Sequence, residues 1–225
     1  IEMARAFQQA FLAIIQVIMD QFQPDYIFCH HLYLLTAFLR EAFPESQIFG
    51  FCHGTDLRQI KKTPFLREYI ISQIQKLDGF FALHEPQKVD ICQTFQVDFA
   101  KVQVIGSGYN HRIFFPTSSI KEKSPTDGRR IIFAGKICRK KGVQSLLRGM
   151  NLLELPFPVE LSLAGGLGVA SELEQINQLA SQCDHPVHFL GKLNHEELAD
   201  ALRCSDLFVL PSFFEGLPLV IMEAL

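Results

Sequence analysis

Short runs of β-branched and aromatic residues alternate with longer segments of helical period along the whole chain, and this alternation constrains the fold more than any other feature. A helix between two strands carries the chain back to the end where the first strand began, so the second strand pairs in parallel with the first. The first half reads as a strand over 25–29, a helix over 32–43, a strand over 47–52 and a helix over 64–77. A strand over 79–83, a helix from Glu85 and a strand over 102–105 follow. The second half repeats the pattern, with strands over 130–134, 159–163, 187–190 and 207–210 and helices from Gly142, Ser171, His195 and Pro218. Open parallel sheets bind ligands outside the carboxyl ends of their strands. That rule selects His30, His53, residues 106–110, Lys136, residues 165–168 and residues 212–216.

Between the halves, PTSSIKEKSPTDG (116–128) gathers Pro, Ser, Lys and Gly without an apolar period, as a solvated connection does. The expected organisation is an α/β domain over 1–117, a linker over 118–128 and a second α/β domain over 129–225. With 225 residues and 48% hydrophobic content, the chain can fill two modest cores.

Residues 1–23 carry apolar side chains at helical spacing, from Met3, Phe7 and Phe11 to Ile14, Ile18 and Phe22. A membrane span needs about 20 mostly apolar residues, whereas the unbroken apolar run here covers only 11–15. The segment is therefore expected to be an amphipathic helix facing a core. The net charge of −3, with both signs interleaved, lacks the positive field of a nucleic-acid binder, so no nucleic-acid partner is expected. Six scattered cysteines form no CxxC pair, which argues against zinc and against a disulfide framework. Reduced thiols fit a cytoplasmic protein, with peripheral contact at the inner face of the membrane left open. The chain begins without methionine and stops inside an apparent helix at 223–225, so it reads as a fragment, and its activity in isolation is left open.

Three segments carry the candidate chemistry. In PSFFEGLPLVIMEAL (211–225), Glu215 and Glu223 stand seven residues apart, and Pro218 suits the first position of a helix. Glu215 is then in a loop after a strand and Glu223 inside the next helix. Two carboxylates so placed can accept from the hydroxyls of a sugar and of a ribose, while Gly216 allows a phosphate close to the backbone. In FAGKICRKKG (133–142), Lys136 follows a strand and Lys141 precedes a helix. Two ammonium groups and a helix N-terminus can neutralise a departing diphosphate; Arg139 and Lys140 read as solvent-facing charges. In FCHGTD (51–56), His53 ends a strand and Gly54 permits a tight turn, so a neutral imidazole there can hydrogen-bond a sugar hydroxyl.

The run PS-x-x-EG-x-P-x-x-x-x-EA closely resembles the donor-site signature of retaining GT-B glycosyltransferases, those of glycosyltransferase family 4 (glycosyl transferases group 1) in particular. The resemblance implies two Rossmann-like α/β domains whose parallel sheets face a central cleft. It further implies that Glu215 contacts the donor sugar and Glu223 the nucleotide ribose, with Ser212, Gly216 and Leu217 alongside. Lys136 and Lys141 match the family's Arg-x4-Lys pair after Gly135, although lysine at 136 lacks the guanidinium fork. His53 matches the His of the N-domain HG motif, and Asp56 and His30 are placed as cleft lining. Residues 107–116 resemble an N-G-V-D-x-x-x-F-x-P crossover through Gly108, Phe114 and Pro116, with Ser107 standing for Asn and Asn110 for Asp. Gly166, between Gly165 and Gly168, matches the G-x-G turn.

The implied reaction moves a hexose-type sugar from a nucleoside diphosphate donor to the hydroxyl of an acceptor, be it glycan, glycolipid or small molecule, with retention at the anomeric carbon. Neither a metal ion nor another cofactor is expected, since no DxD-like acidic pair stands at a suitable place. The rival readings are a GT-B relative with other sugar-phosphate chemistry, such as a phosphorylase or a nucleotide-sugar epimerase, and a noncatalytic nucleotide-sugar binding module.

Overall fold

The computed structural model describes residues 2–116, 124 and 126–225. They form two compact units, the first ending at Ser107 and the second beginning at Gly108. The division falls ahead of the expected linker because residues after Asn110 dock on the second unit. Phe114 is 5% exposed and meets His195 edge-on at 6.0 Å, and the Arg203 guanidinium donates to the Ile113 carbonyl at 2.8 Å. Of the expected linker 118–128, residues 118–123 and 125 lie outside the described residues.

In the first unit, β1 (Tyr26–His30), β2 (Gln47–Phe51), β3 (Gly79–Ala82) and β4 (Val102–Val104) pair in parallel, in that spatial order. When strands are added in one direction by right-handed crossovers, the connecting helices all fall on one face of the sheet. Those connections hold α2 (Leu34–Ala42), α3 (Thr55–Lys62), α4 (Pro64–Ile74) and α5 (Glu85–Phe95). Their apolar sides and the sheet bury Leu32, Ile48, Ile60, Ile70, Leu77, Phe80 and Phe95 almost completely. Alternate residues turn to the other face as an aromatic ladder: Phe28 lies 5.7 Å from Phe49, and Phe51 lies 4.6 Å from Phe81.

Helix α3 is absent from the sequence reading. Its sequence, TDLRQIKK, is polar at most positions and buries only Asp56, Leu57 and Ile60, too short a stripe to show a period. The amphipathic helix of the N-terminal segment is present as α1 (Glu2–Phe22), but it faces the core only in part. Phe11 and Ile15 pack against the core, while Met3, Ile14 and Phe22 are 84%, 65% and 74% exposed. Lying beside β1 and α2, a single helix brings one ridge of side chains to the core and no more. Among the described residues no helix is long and apolar enough to cross a membrane.

In the second unit, β5 (Arg129–Ala134), β6 (Val159–Ala164), β7 (Val187–Gly191) and β8 (Leu207–Phe208) form a parallel sheet in the order β7-β6-β5-β8. The chain moves outward from β5 to β7, then returns to the other side of β5. Two cores result. Ile131, Phe133, Leu161 and Leu163 face α6 (Val143–Met150) and α7 (Ala170–Ser181), burying Val143, Leu147 and Ile176. Ile132, Ala134 and Ala164 face the opposite way, toward Leu198 and Leu202 of α8 (His195–Arg203) and Val220 of α9 (Leu219–Ala224). The one-residue alternation along β5 thus serves both faces, as a doubly covered parallel strand requires.

Candidate functional site

The reversal of strand order between β5 and β8 opens a crevice between the loops that follow them, the place where open α/β sheets hold ligands. The loop after β5 carries Gly135, Lys136 and Lys141; the loop after β8 carries Ser212, Glu215, Gly216 and Leu217. Three contacts join the two loops. The Phe213 amide donates to the Lys140 carbonyl at 3.2 Å. Gly142, in the left-handed region at φ 75°, lies so close to the Pro211 carbonyl that a Cβ would collide with it. Lys141 Nζ donates to Glu215 Oε1 at 2.5 Å, an ion pair whose side chains are 26% and 23% exposed.

Burial alone would raise the Glu215 pKa, but the Lys141 hydrogen bond, the nearby Ser212 hydroxyl and the charges of Lys141 and Lys140 together hold it below the usual carboxylate value. The Ser212 Oγ is itself buried without a well-formed hydrogen bond, so its influence on Glu215 is that of a nearby dipole. Glu215 is consequently an anion at neutral pH, able to accept hydrogen bonds and unable to give a proton. Lys140, read from sequence as merely solvent-facing, contributes to this field. Its part follows from the turn Arg139–Lys141, which the neighbouring lysine codes do not reveal.

Lys136 is exposed and Glu223 half-buried, and neither makes an ion pair among the described residues. Pro218 takes the N-cap position of α9, one place earlier than expected, with its carbonyl accepting from the Ile221 amide at 3.1 Å. Glu223 lies within that helix, as the spacing implied. The loop after β6 is tied to the end of β7 and to the loop after β5. Gly165 donates its amide to the Gly191 carbonyl at 2.7 Å, and Gly166 accepts from the Ile137 amide at 2.9 Å.

The first unit has its own cluster at the carboxyl ends of β1 and β2. His53 Nε2 lies 2.9 Å from His30 Nδ1, and the His31 ring stands 4.6 Å from that of His53. Burial and the neighbouring His31 lower the His53 pKa, Asp56 opposes them and His30 adds to them, so the ring is neutral at pH 7. A hollow of about 410 Å³ beside the cluster is lined by His30, His31, Tyr33, Leu34 and Thr55, among others. Asp56 also borders it, but at 2% exposure its carboxylate turns inward. It accepts from the amides of Leu32 at 2.8 Å, His53 at 3.2 Å and Leu57 at 3.3 Å. Asp56→Ala would strand buried amides, and the expected loss of stability is about 3 kcal/mol by denaturant unfolding; an unchanged midpoint would refute the role.

Gly108 and Asn110 are exposed. The Asn110 side chain accepts from the Arg112 amide at 3.1 Å, and its carbonyl accepts from Phe114 at 2.9 Å, so it caps the turn that docks on α8. Among the described residues no three His, Cys, Asp or Glu side chains are grouped to hold a metal ion.

Residues 128–225 match the family model described as Glycosyl transferases group 1. Over 203 residues the chain is 26% identical to an uncharacterized glycosyltransferase of Methanocaldococcus jannaschii, covering 76% of this chain and 52% of that protein. Sucrose-phosphate synthase from Thermosynechococcus elongatus superposes with a TM-score of 0.73 at 20% identity, over 99% of this chain and 58% of that one. Anabaena HepE in complex with UDP and glucose superposes with a TM-score of 0.69 at 14% identity, over 94% and 59%. The chain thus spans little more than half the length of these three proteins. By fold the chain is an α/β protein of the GT-B class, and its second unit carries the match to Glycosyl transferases group 1.

Proposed function

We propose that this chain is the donor-binding portion of a glycosyltransferase that moves a hexose-type sugar from a nucleoside diphosphate to an acceptor hydroxyl with retention, as in glycosyltransferase family 4. The observation that carries the reading is the Lys141–Glu215 pair at the strand-order reversal. An ammonium group has three N–H donors, and Glu215 takes one, leaving two for the oxygens of a diphosphate. As the glycosidic bond breaks, charge grows on that diphosphate, and Lys136 and Lys141 stabilise it, with no metal ion assigned a part. Glu215, held as an anion, accepts hydrogen bonds from donor-sugar hydroxyls, Glu223 does so from the ribose, and His53 is assigned a sugar hydroxyl by its motif. UDP and glucose in the HepE complex support this donor class. The protein is proposed to work in the cytoplasm, with contact at the inner membrane face if its acceptor is a glycolipid.

Calorimetry of the full-length protein with UDP, GDP and ADP tests the reading. One of them should bind, and Lys141→Ala should weaken it about 10- to 100-fold, as loss of a charge-assisted hydrogen bond does. Equal affinity in the variant would remove Lys141 from the site.

A further inference from the structure

We propose that His30 is a positioning residue for His53, the two rings forming a hydrogen-bonded pair that fixes the tautomer and orientation His53 presents to a substrate hydroxyl. The inference rests on the reading of His53 as a sugar-facing residue and assigns it a partner. His30 Nδ1 and His53 Nε2 are 2.9 Å apart, so a single proton lies between them. With both rings neutral, two arrangements exist. If His53 donates, His30 keeps a proton on Nε2 and His53 keeps a lone pair on Nδ1. If His30 donates, His30 keeps the lone pair and His53 the proton. Either way one free nitrogen is a donor and the other an acceptor, so the ring that gives the shared proton sets whether His53 Nδ1 donates to a hydroxyl or accepts from it.

The surroundings hold the pair in place. His30 stacks on Phe51 at 5.0 Å with the planes 15° apart, which fixes one ring against the aromatic ladder. The backbone of His53 is held by Asp56, whose oxygen accepts its amide at 3.2 Å. His31 leans over His53 from the other side, 3.4 Å from Thr55 Oγ1 through its own Nδ1. His31 sits in the left-handed region at φ 75°, unusual for histidine, and its amide donates to the Phe51 carbonyl at 2.9 Å. The titratable groups that face the pair are His31, the buried Asp56 carboxylate and the Cys52 thiol, which burial and Asp56 push up and so keep protonated.

Nitrogen-15 NMR of histidine-labelled full-length protein, combined with transfer assays, tests the pair. In the wild type, His53 should show one tautomer and a coupling across the N–H···N bond to His30. His30→Phe keeps the stacking on Phe51 and removes the hydrogen bond. The His53 ring should then average between tautomers, and kcat should fall about tenfold, the worth of one hydrogen bond. His30→Asn places an amide where Nδ1 stood and should restore both. Identical His53 shifts in wild type and His30→Phe would overturn the pair, and altered shifts with unchanged kcat would overturn its positioning role. A wild type that transfers sugar from no nucleoside diphosphate donor would instead sink the functional reading, while the shifts would still decide whether the two rings are joined.

Discussion

Glu215→Gln is expected to lower kcat for sugar transfer on the order of 100- to 1,000-fold, the scale seen when one preorganised electrostatic contact is removed from a reacting centre. The substitution keeps shape and removes charge, so the donor sugar loses its anionic acceptor. Lys141 simultaneously loses its counter-ion, leaving the ammonium freer for diphosphate. Nucleoside diphosphate affinity should therefore hold or rise while turnover collapses, which separates this outcome from simple damage to the binding site. A kcat within twofold of wild type would end the assignment. The pH dependence follows from the same contact. The Glu215 pKa is depressed in the folded state, so the pair stabilises the fold above the ordinary carboxylate pKa. That contribution fades as pH falls through the lower folded value. Acid unfolding of the variant should accordingly be less steep than that of the wild type below about pH 4.

The second large effect is structural. Gly165→Ala should destabilise the second unit by about 4 kcal/mol, on the order of 10 °C in melting temperature. At φ 147° an L residue is strained, and the new Cβ would run into the carbonyl oxygen of Gly135, backbone that cannot swing away. Gly166→Ala is the matched control, because a Cβ there meets nothing within 4 Å. Calorimetric melting of the two variants should differ sharply. Equal melting temperatures would show that the loops after β5 and β6 do not pack as described.

The strands were legible because each is a short apolar run bounded by turn residues, and the strand-end rule led directly to Lys136, Glu215 and His53, while Lys141 came from its place before a helix and its spacing from Lys136. Sheet order was not, since periodicity marks a strand without naming its neighbours. The Lys141–Glu215 contact depends on that order: the residues are 74 apart in sequence and meet only because β8 returns beside β5. Helix α3 escaped notice because its buried positions are so few, and with it the inward part of Asp56, placed as cleft lining, since a carboxylate that caps backbone amides reads like any surface acid. The spread of α1's apolar stripe announced a helix correctly, yet periodicity cannot tell how many of its ridges find a partner.

The late arrival of β8 also sets a timetable for synthesis. A ribosome adds about 5–20 residues per second, so Lys141 emerges roughly 4–15 s before the carboxylate that will neutralise it. Until then β5 has one lateral neighbour, and its other edge is open to any passing extended peptide. A nascent chain stalled within that interval is an aggregation hazard, and chaperone dependence should be greatest there.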